Sequence, residues 1–187
     1  MHREDKALYH RVKIDPSARI SPAAGILGDA TVGRDVTVFA GVQIRGDGAP
    51  VTIGDESNLQ ENVVVHVDHD TPVVIGRHCT VGHGAILHSC ELGDNVLVGM
   101  GAIVMNRAKI GANSVIGAGA LVSEGKEFPG NSLIVGMPAK LKRTLSEDEV
   151  AKMCTDAGDE YLQVSSEMLR QGALAHPDPA ADMLLGS

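Results

Sequence analysis

The chain has 187 residues and a formal net charge of −8, so it lacks the basic surface that a nucleic-acid partner requires. Aromatic residues make up 2% of it and tryptophan is absent, which excludes a core built on large rings. Val, Ile, Leu and Ala must fill the interior instead, and one domain with an appendage is the simplest organisation at this length.

From residue 12 onward, aliphatic residues recur every six positions: Ile14, Ile20, Ile26, Val32, Val38, Ile44, Ile53, Leu59, Val65, Ile75, Val81, Leu87, Leu92, Val98, Val104, Ile110, Ile116, Val122, Phe128 and Ile134. Only the intervals 44–53, 65–75 and 87–92 depart from six. An amphipathic helix would repeat at 3.6, and a sandwich would alternate with period two and close its hairpins with Asn-Gly turns, which are missing. A period of six fits a coil in which each hexad is a short strand plus a bend, with three hexads per triangular turn stacked at about 4.8 Å. The expected fold is therefore all-β, a parallel β-helix of about seven turns over residues 12–136.

Residues 137–145 read as a connector. "SEDE" at 146–149 is a capping box with Ser146 as N-cap, and apolar residues from Val150 to Met168 follow mainly at intervals of three and four. This predicts a helix over 146–171 with one face on the prism, followed by a flexible tail over 172–187. No apolar run approaches the roughly 20 residues of a membrane helix. The start, "MHREDKALYH", has no apolar signal region, and Cys79, Cys90 and Cys154 form no CxxC pair. A location in the reducing cytoplasm is expected.

The repeat gives the histidines a register. His66 follows Val65 and His88 follows Leu87; these two aliphatics are three hexads apart, one full turn, so both histidines stand on one face. Imidazoles leaning together there bring two nitrogens near the roughly 3.3 Å edge of a tetrahedron with Zn–N bonds of about 2.0 Å. His83 comes one hexad earlier, on the adjacent face, and points elsewhere within one chain. Three prisms packed about a threefold axis would bring it to a neighbour's pair and give a trimer with three equivalent sites. On the same rows, Arg45 lies one turn below His66 with Asp47 after it, and Glu61 lies beneath His83. These charges are expected to pair between subunits. Gln60 is the better chemical candidate, because its amide is placed to hold a nucleophilic hydroxide. His2, His10, His78 and His176 read as structural or terminal residues, and Lys140, Lys142 and Arg143 as a solvated entrance to the helix.

The stretches "IRGD" (44–47), "IGDESNLQENVVVH" (53–66), "TVGHGAILHSCELGDNVLVGMGAIV" (80–104) and "SLIVGMPAKLKR" (132–143) make the chain similar to the γ-class carbonic anhydrases and their carbonic anhydrase-like relatives. The resemblance implies a left-handed coil, an exception to the usual crossover hand. It also implies a homotrimer with metal at its interfaces, held by His66, His83 and His88. Arg45, Asp47, Asn58 and Gln60 match the family's active-site or interface positions, and Tyr161 falls where relatives line the site. The chain departs from the pattern at Glu61, which stands where the family has Asp. It departs again at "VDHDTP", which is too short for the acidic proton-shuttle loop; Asp68, His69 and Asp70 are the candidate relay instead.

Three neutral imidazoles leave a coordination position open, which suits a catalytic metal: Zn2+, with Co2+ or Fe2+ as substitutes. The expected activity is reversible hydration of CO2 to bicarbonate. The rivals are a CoA-dependent hexapeptide-repeat acyltransferase, a metal-dependent thioesterase and a non-catalytic trimer stapled by metal.

Overall fold

Strands of two or three residues recur along residues 11–178, which are those that the computed structural model describes. Nearly all of them pair in parallel with the strand one turn away, and they wind into a β-helix of about seven turns. Gly25–Val32 and Gln43–Ile53 run round a corner, so the larger sheet covers two faces of the prism. The first face stacks the start of Gln43–Ile53, then Val64–His66, Ile86–His88, Ile103–Val104 and Leu121–Val122. The second continues from the end of Gln43–Ile53 through Val73–Ile75 to Glu127–Phe128. The third runs from Arg19–Ile20 through Asn58–Leu59 and Thr80–Val81 to Ser132–Gly136.

The expected inward aliphatics are buried, apart from Ile14, Ile26 and Phe128, which are partly covered. A second inward row lies two residues before them, as strand alternation requires. It includes Val36, Val42, Val63, Cys79, Ala85, Cys90, Val96, Ala102 and Ala120. The three cysteines are free and buried, and burial pushes the thiols of Cys79 and Cys90 up to about 12 and that of Cys154 to about 11. Along one edge, from Val32 onward, the third residue after the inward aliphatic turns left-handed: Asp35, Glu56, His78, Asn95, Asn113 and Asn131. In the five-residue interval one residue is missing, and Ser89 takes that conformation one position early.

Leu87 is fully buried in the His88-bearing turn, against Val65 of the His66-bearing one. Leu87→Ala should cost about 2–5 kcal/mol of stability, read from the denaturant midpoint, because the stacked turns cannot collapse into the cavity.

Three expectations change. The connector is a strand: Ala139–Thr144 turns back after Met137 and Pro138 and pairs antiparallel with Ser132–Gly136, covering an edge that would otherwise lie open. The helix is Glu147–Val150, a π-helical turn Ala151–Thr155 and Asp156–Arg170, with the Ser146 capping box in place. Arg143 grips Glu149 with two bonds of 2.7 and 2.6 Å and holds that carboxyl down at about 2. The segment after 171 is docked at least as far as His176. Leu174 is buried, Ala175 exchanges two backbone hydrogen bonds with Ile20, and His176 Nδ1 donates to the Ala18 carbonyl at 3.0 Å. The open edge at Ile20 is what captures it. Residues 179–187 of the expected flexible tail, with His2 and His10, lie outside the described residues. Among the described residues, no helix is long and apolar enough to cross a membrane.

Candidate metal centre

On the first face, Arg45, His66 and His88 stand in register one turn apart. The imidazoles of His66 and His88 meet edge to face with centroids 4.9 Å apart, and His66 Nδ1 lies 3.0 Å from His88 Nε2. Their other nitrogens fix the tautomers. His66 Nε2–H donates to Asp47 Oδ1 at 3.1 Å, and His88 Nδ1–H donates to Asn106 Oδ1 at 2.8 Å. Both protons are therefore on the outer nitrogens. Two lone pairs face each other across the gap, an arrangement that is repulsive until a cation or a proton bridges it. The separation is close to the edge expected for tetrahedral zinc.

Asp47 bonds to Arg45 within the chain. Residues two apart on an extended strand share a face, which lets the two side chains meet. Burial alone pushes the Asp47 carboxyl up, and the hydrogen bonds from Arg45 and His66 outweigh it and hold it below its ordinary value.

His83 follows Thr80–Val81 on the third face, and its Nδ1–H donates to Glu61 Oε2 at 2.7 Å. The longer side chain at 61 reaches the ring and leaves Nε2 free to ligate. The His83 side chain is 48% exposed, which leaves it accessible to a neighbour. Among the described residues of one chain, no three His, Cys, Asp or Glu side chains converge on a common point.

Gln60 and Asn58 lie on the third face beside Glu61, and both are buried. Asn58 Nδ2 donates to Thr80 Oγ1 at 2.9 Å, and Gln60 Nε2 donates weakly to Asn58 Oδ1 at 3.4 Å. This chain turns the Gln60 carbonyl oxygen away from Asn58. Tyr161 stacks edge-on against Phe39 at 5.9 Å. Burial raises the Tyr161 phenol pKa, with the charges of Glu61 and Glu160 adding to it, so the ring lies on the His83 side of the prism. His69 and Asp70 are exposed in the short loop after His66, with the Thr71 hydroxyl on the His69 carbonyl. Asn106 is the partner that sequence reasoning missed. It sits in the bend two residues after Val104, which stacks on Leu87; the register puts Met105 over His88, so the spacing gave no signal for Asn106.

Two hexapeptide-repeat models match the chain: "Bacterial transferase hexapeptide (six repeats)" over residues 89–124 and "Hexapeptide repeat of succinyl-transferase" over residues 72–105. A Methanocaldococcus jannaschii protein named "Probable carbonic anhydrase" is 44% identical over 83% of this chain and 97% of its own. A Geobacillus kaustophilus protein named "Carbonic anhydrase" is 45% identical over 75% of this chain and 78% of its own. The solved structure of a hexapeptide transferase family protein from Anaplasma phagocytophilum is 36% identical, covers 83% of this chain and 92% of its own, and superposes with a TM-score of 0.79. With the stacked histidines and the coil that carries them, these similarities place the chain in the γ-class carbonic anhydrase-like family of hexapeptide-repeat proteins.

Proposed function

We propose that the protein is a homotrimeric, metal-dependent enzyme that hydrates CO2 reversibly to bicarbonate, each metal held by His66 and His88 of one chain and His83 of the next. The observation that carries this reading is the pair of imidazole nitrogens 3.0 Å apart, with each ring's second nitrogen tied to an oxygen. A divalent cation there, zinc by default, with cobalt or ferrous iron accepting the same ligands, supplies the Lewis acidity that makes a water nucleophilic at neutral pH.

The chain's own groups do the rest. Asp47, Asn106 and Glu61 hold the three rings in ligating tautomers. Gln60, its NH2 committed to Asn58, offers a carbonyl oxygen to orient the attacking hydroxyl. Asn58 and Tyr161 line that side, and Arg45 keeps Asp47 ionised against His66. Val64 and Ile86 expose apolar surface beside the pair. Met105 follows Val104, which pairs with Leu87, and Met100 comes two residues after Val98, which pairs with Val81. These side chains provide a wall that accommodates CO2 without hydrogen-bonding it. Exposed on the two faces that carry His66, His88 and His83, these apolar side chains also support burial against a second copy.

The test is stopped-flow CO2 hydration before and after chelator dialysis. Loss of the activity on chelation and its return with added zinc is the expected result. A metal-replete trimer that does not hydrate CO2 overturns the reading. Acetyl transfer from acetyl-CoA that survives chelation would favour the transferase chemistry named for the Anaplasma protein.

A further inference from the structure

We infer that Asp68 and Asn106 form a positioning relay that fixes the ligating tautomer of His88, an inference that rests on the metal-centre reading above. The relay is read from two bonds: His88 Nδ1 to Asn106 Oδ1 at 2.8 Å, and Asn106 Nδ2 to Asp68 Oδ2 at 3.2 Å. A primary amide is ambiguous toward an imidazole. Turned over, Asn106 would donate its NH2 to His88 Nδ1, driving the ring proton to Nε2, the atom that faces His66. An ionised carboxylate only accepts, so Asp68 draws the NH2 toward itself and leaves Oδ1 for the ring. His66 and His83 are held by carboxylates directly, whereas His88 is held by one through an intervening amide.

Asp68 is itself anchored. Its backbone N–H donates to Ser89 Oγ at 2.6 Å, its Oδ1 accepts from the His69 N–H at 3.0 Å, and its backbone bridges to Thr71. Ser89 is buried and left-handed in the five-residue interval, while Asp68 belongs to the ten-residue interval one turn below. The two irregular intervals thus meet at one place. The longer one brings the carboxylate, and the shorter one brings the hydroxyl that pins it. On this geometry Asp68 acts on ring orientation, as a positioning residue and not a carrier of protons.

The test measures zinc affinity by competition with a chromophoric chelator, together with the visible spectrum of the cobalt-loaded protein. The proteins are the wild type, Asp68→Asn, Asn106→Leu and the exchanged double variant Asp68→Asn/Asn106→Asp. The expected weakening is about tenfold for Asp68→Asn and about 10–100-fold for Asn106→Leu, with altered cobalt spectra. In the exchanged variant the carboxylate accepts from both the ring and the amide, which restores the polarity; affinity within about threefold of wild type is expected. Unchanged affinity and spectrum in Asp68→Asn, or an exchanged variant that binds no tighter than Asp68→Asn alone, overturns the relay. A normal affinity with a slowed hydration rate that added buffer rescues would assign Asp68 to proton export, and also overturns it. A wild-type trimer that takes up no zinc fails the metal centre itself, and the relay with it. Unfolding midpoints of the metal-free proteins show that the variants fold.

Discussion

Replacing His88 by alanine is expected to lower bound zinc from about one per chain to below a tenth, and CO2 hydration by on the order of 10³-fold. The effect is large because His88 supplies half of the preformed pair. Without it, His66 Nδ1 faces an open gap, and in the proposed trimer the neighbour's His83 would be a lone second donor. The fold should tolerate the change. His88 is half-buried at an outward position, whereas Leu87 beneath it carries the packing. Metal analysis and stopped-flow assays on one preparation read the effect, with the unfolding midpoint compared between metal-free proteins, since bound metal itself stabilises the folded state. A His88→Ala trimer that keeps both metal and rate would remove the three-histidine centre from consideration.

Mixing two inactive variants is expected to restore activity. His83→Ala keeps the pair and lacks the third donor, and His88→Ala has the reverse defect. In a cyclic trimer each interface takes the pair from one chain and His83 from the next, so a mixed trimer of either composition contains one complete site of three. Random assembly from equal amounts makes about three-quarters of the trimers mixed, giving about one quarter of wild-type hydration. Unfolding and refolding the two proteins together, then assaying against each refolded alone, measures this. A centre assembled inside one chain would show no recovery. The experiment therefore separates a shared centre from an internal one without requiring a structure of the assembly.

The inward row was legible because a coil with three hexads per turn tolerates few substitutes for a buried aliphatic at each sixth position, as Ile44, Leu59 and Leu87 illustrate. The same register placed His66 over Arg45, His88 over His66, and His83 over Glu61, and the strand pairing agrees at each place. The second inward row was hidden because its members are small or mixed in type, such as Cys79, Ala85 and Ser114, and carry no hydrophobic rhythm of their own. Partner choice was hidden as well. Whether Asp47 turns to its own Arg45 or to a neighbouring chain depends on side-chain torsions, as does the orientation of Asn106. The strand at 139–144 reads as polar connector because only Ala139 is buried, and it forms because the coil's last turn offers it an edge. The short docked segment around Ala175 is held by one bridge, the buried Leu174 and the His176 bond to Ala18, and leaves no periodic trace.

That bridge has a consequence for how the molecule comes apart. A stack of repeats in which each turn touches only its neighbours frays from its ends, one unit at a time. Here the helix sets out from the end of the coil where Ser132–Gly136 lies, and the segment after it closes on Ile20, in the first turns. The open chain of nearest neighbours becomes a ring, with Arg19 and Ser165 joined at 3.0 Å beside the clasp. The first turn cannot peel away without releasing the tail, and the tail cannot leave without exposing the first turn. Unravelling at the two ends is thereby coupled into one cooperative event, and the histidine-bearing turns midway along the coil are sheltered from both.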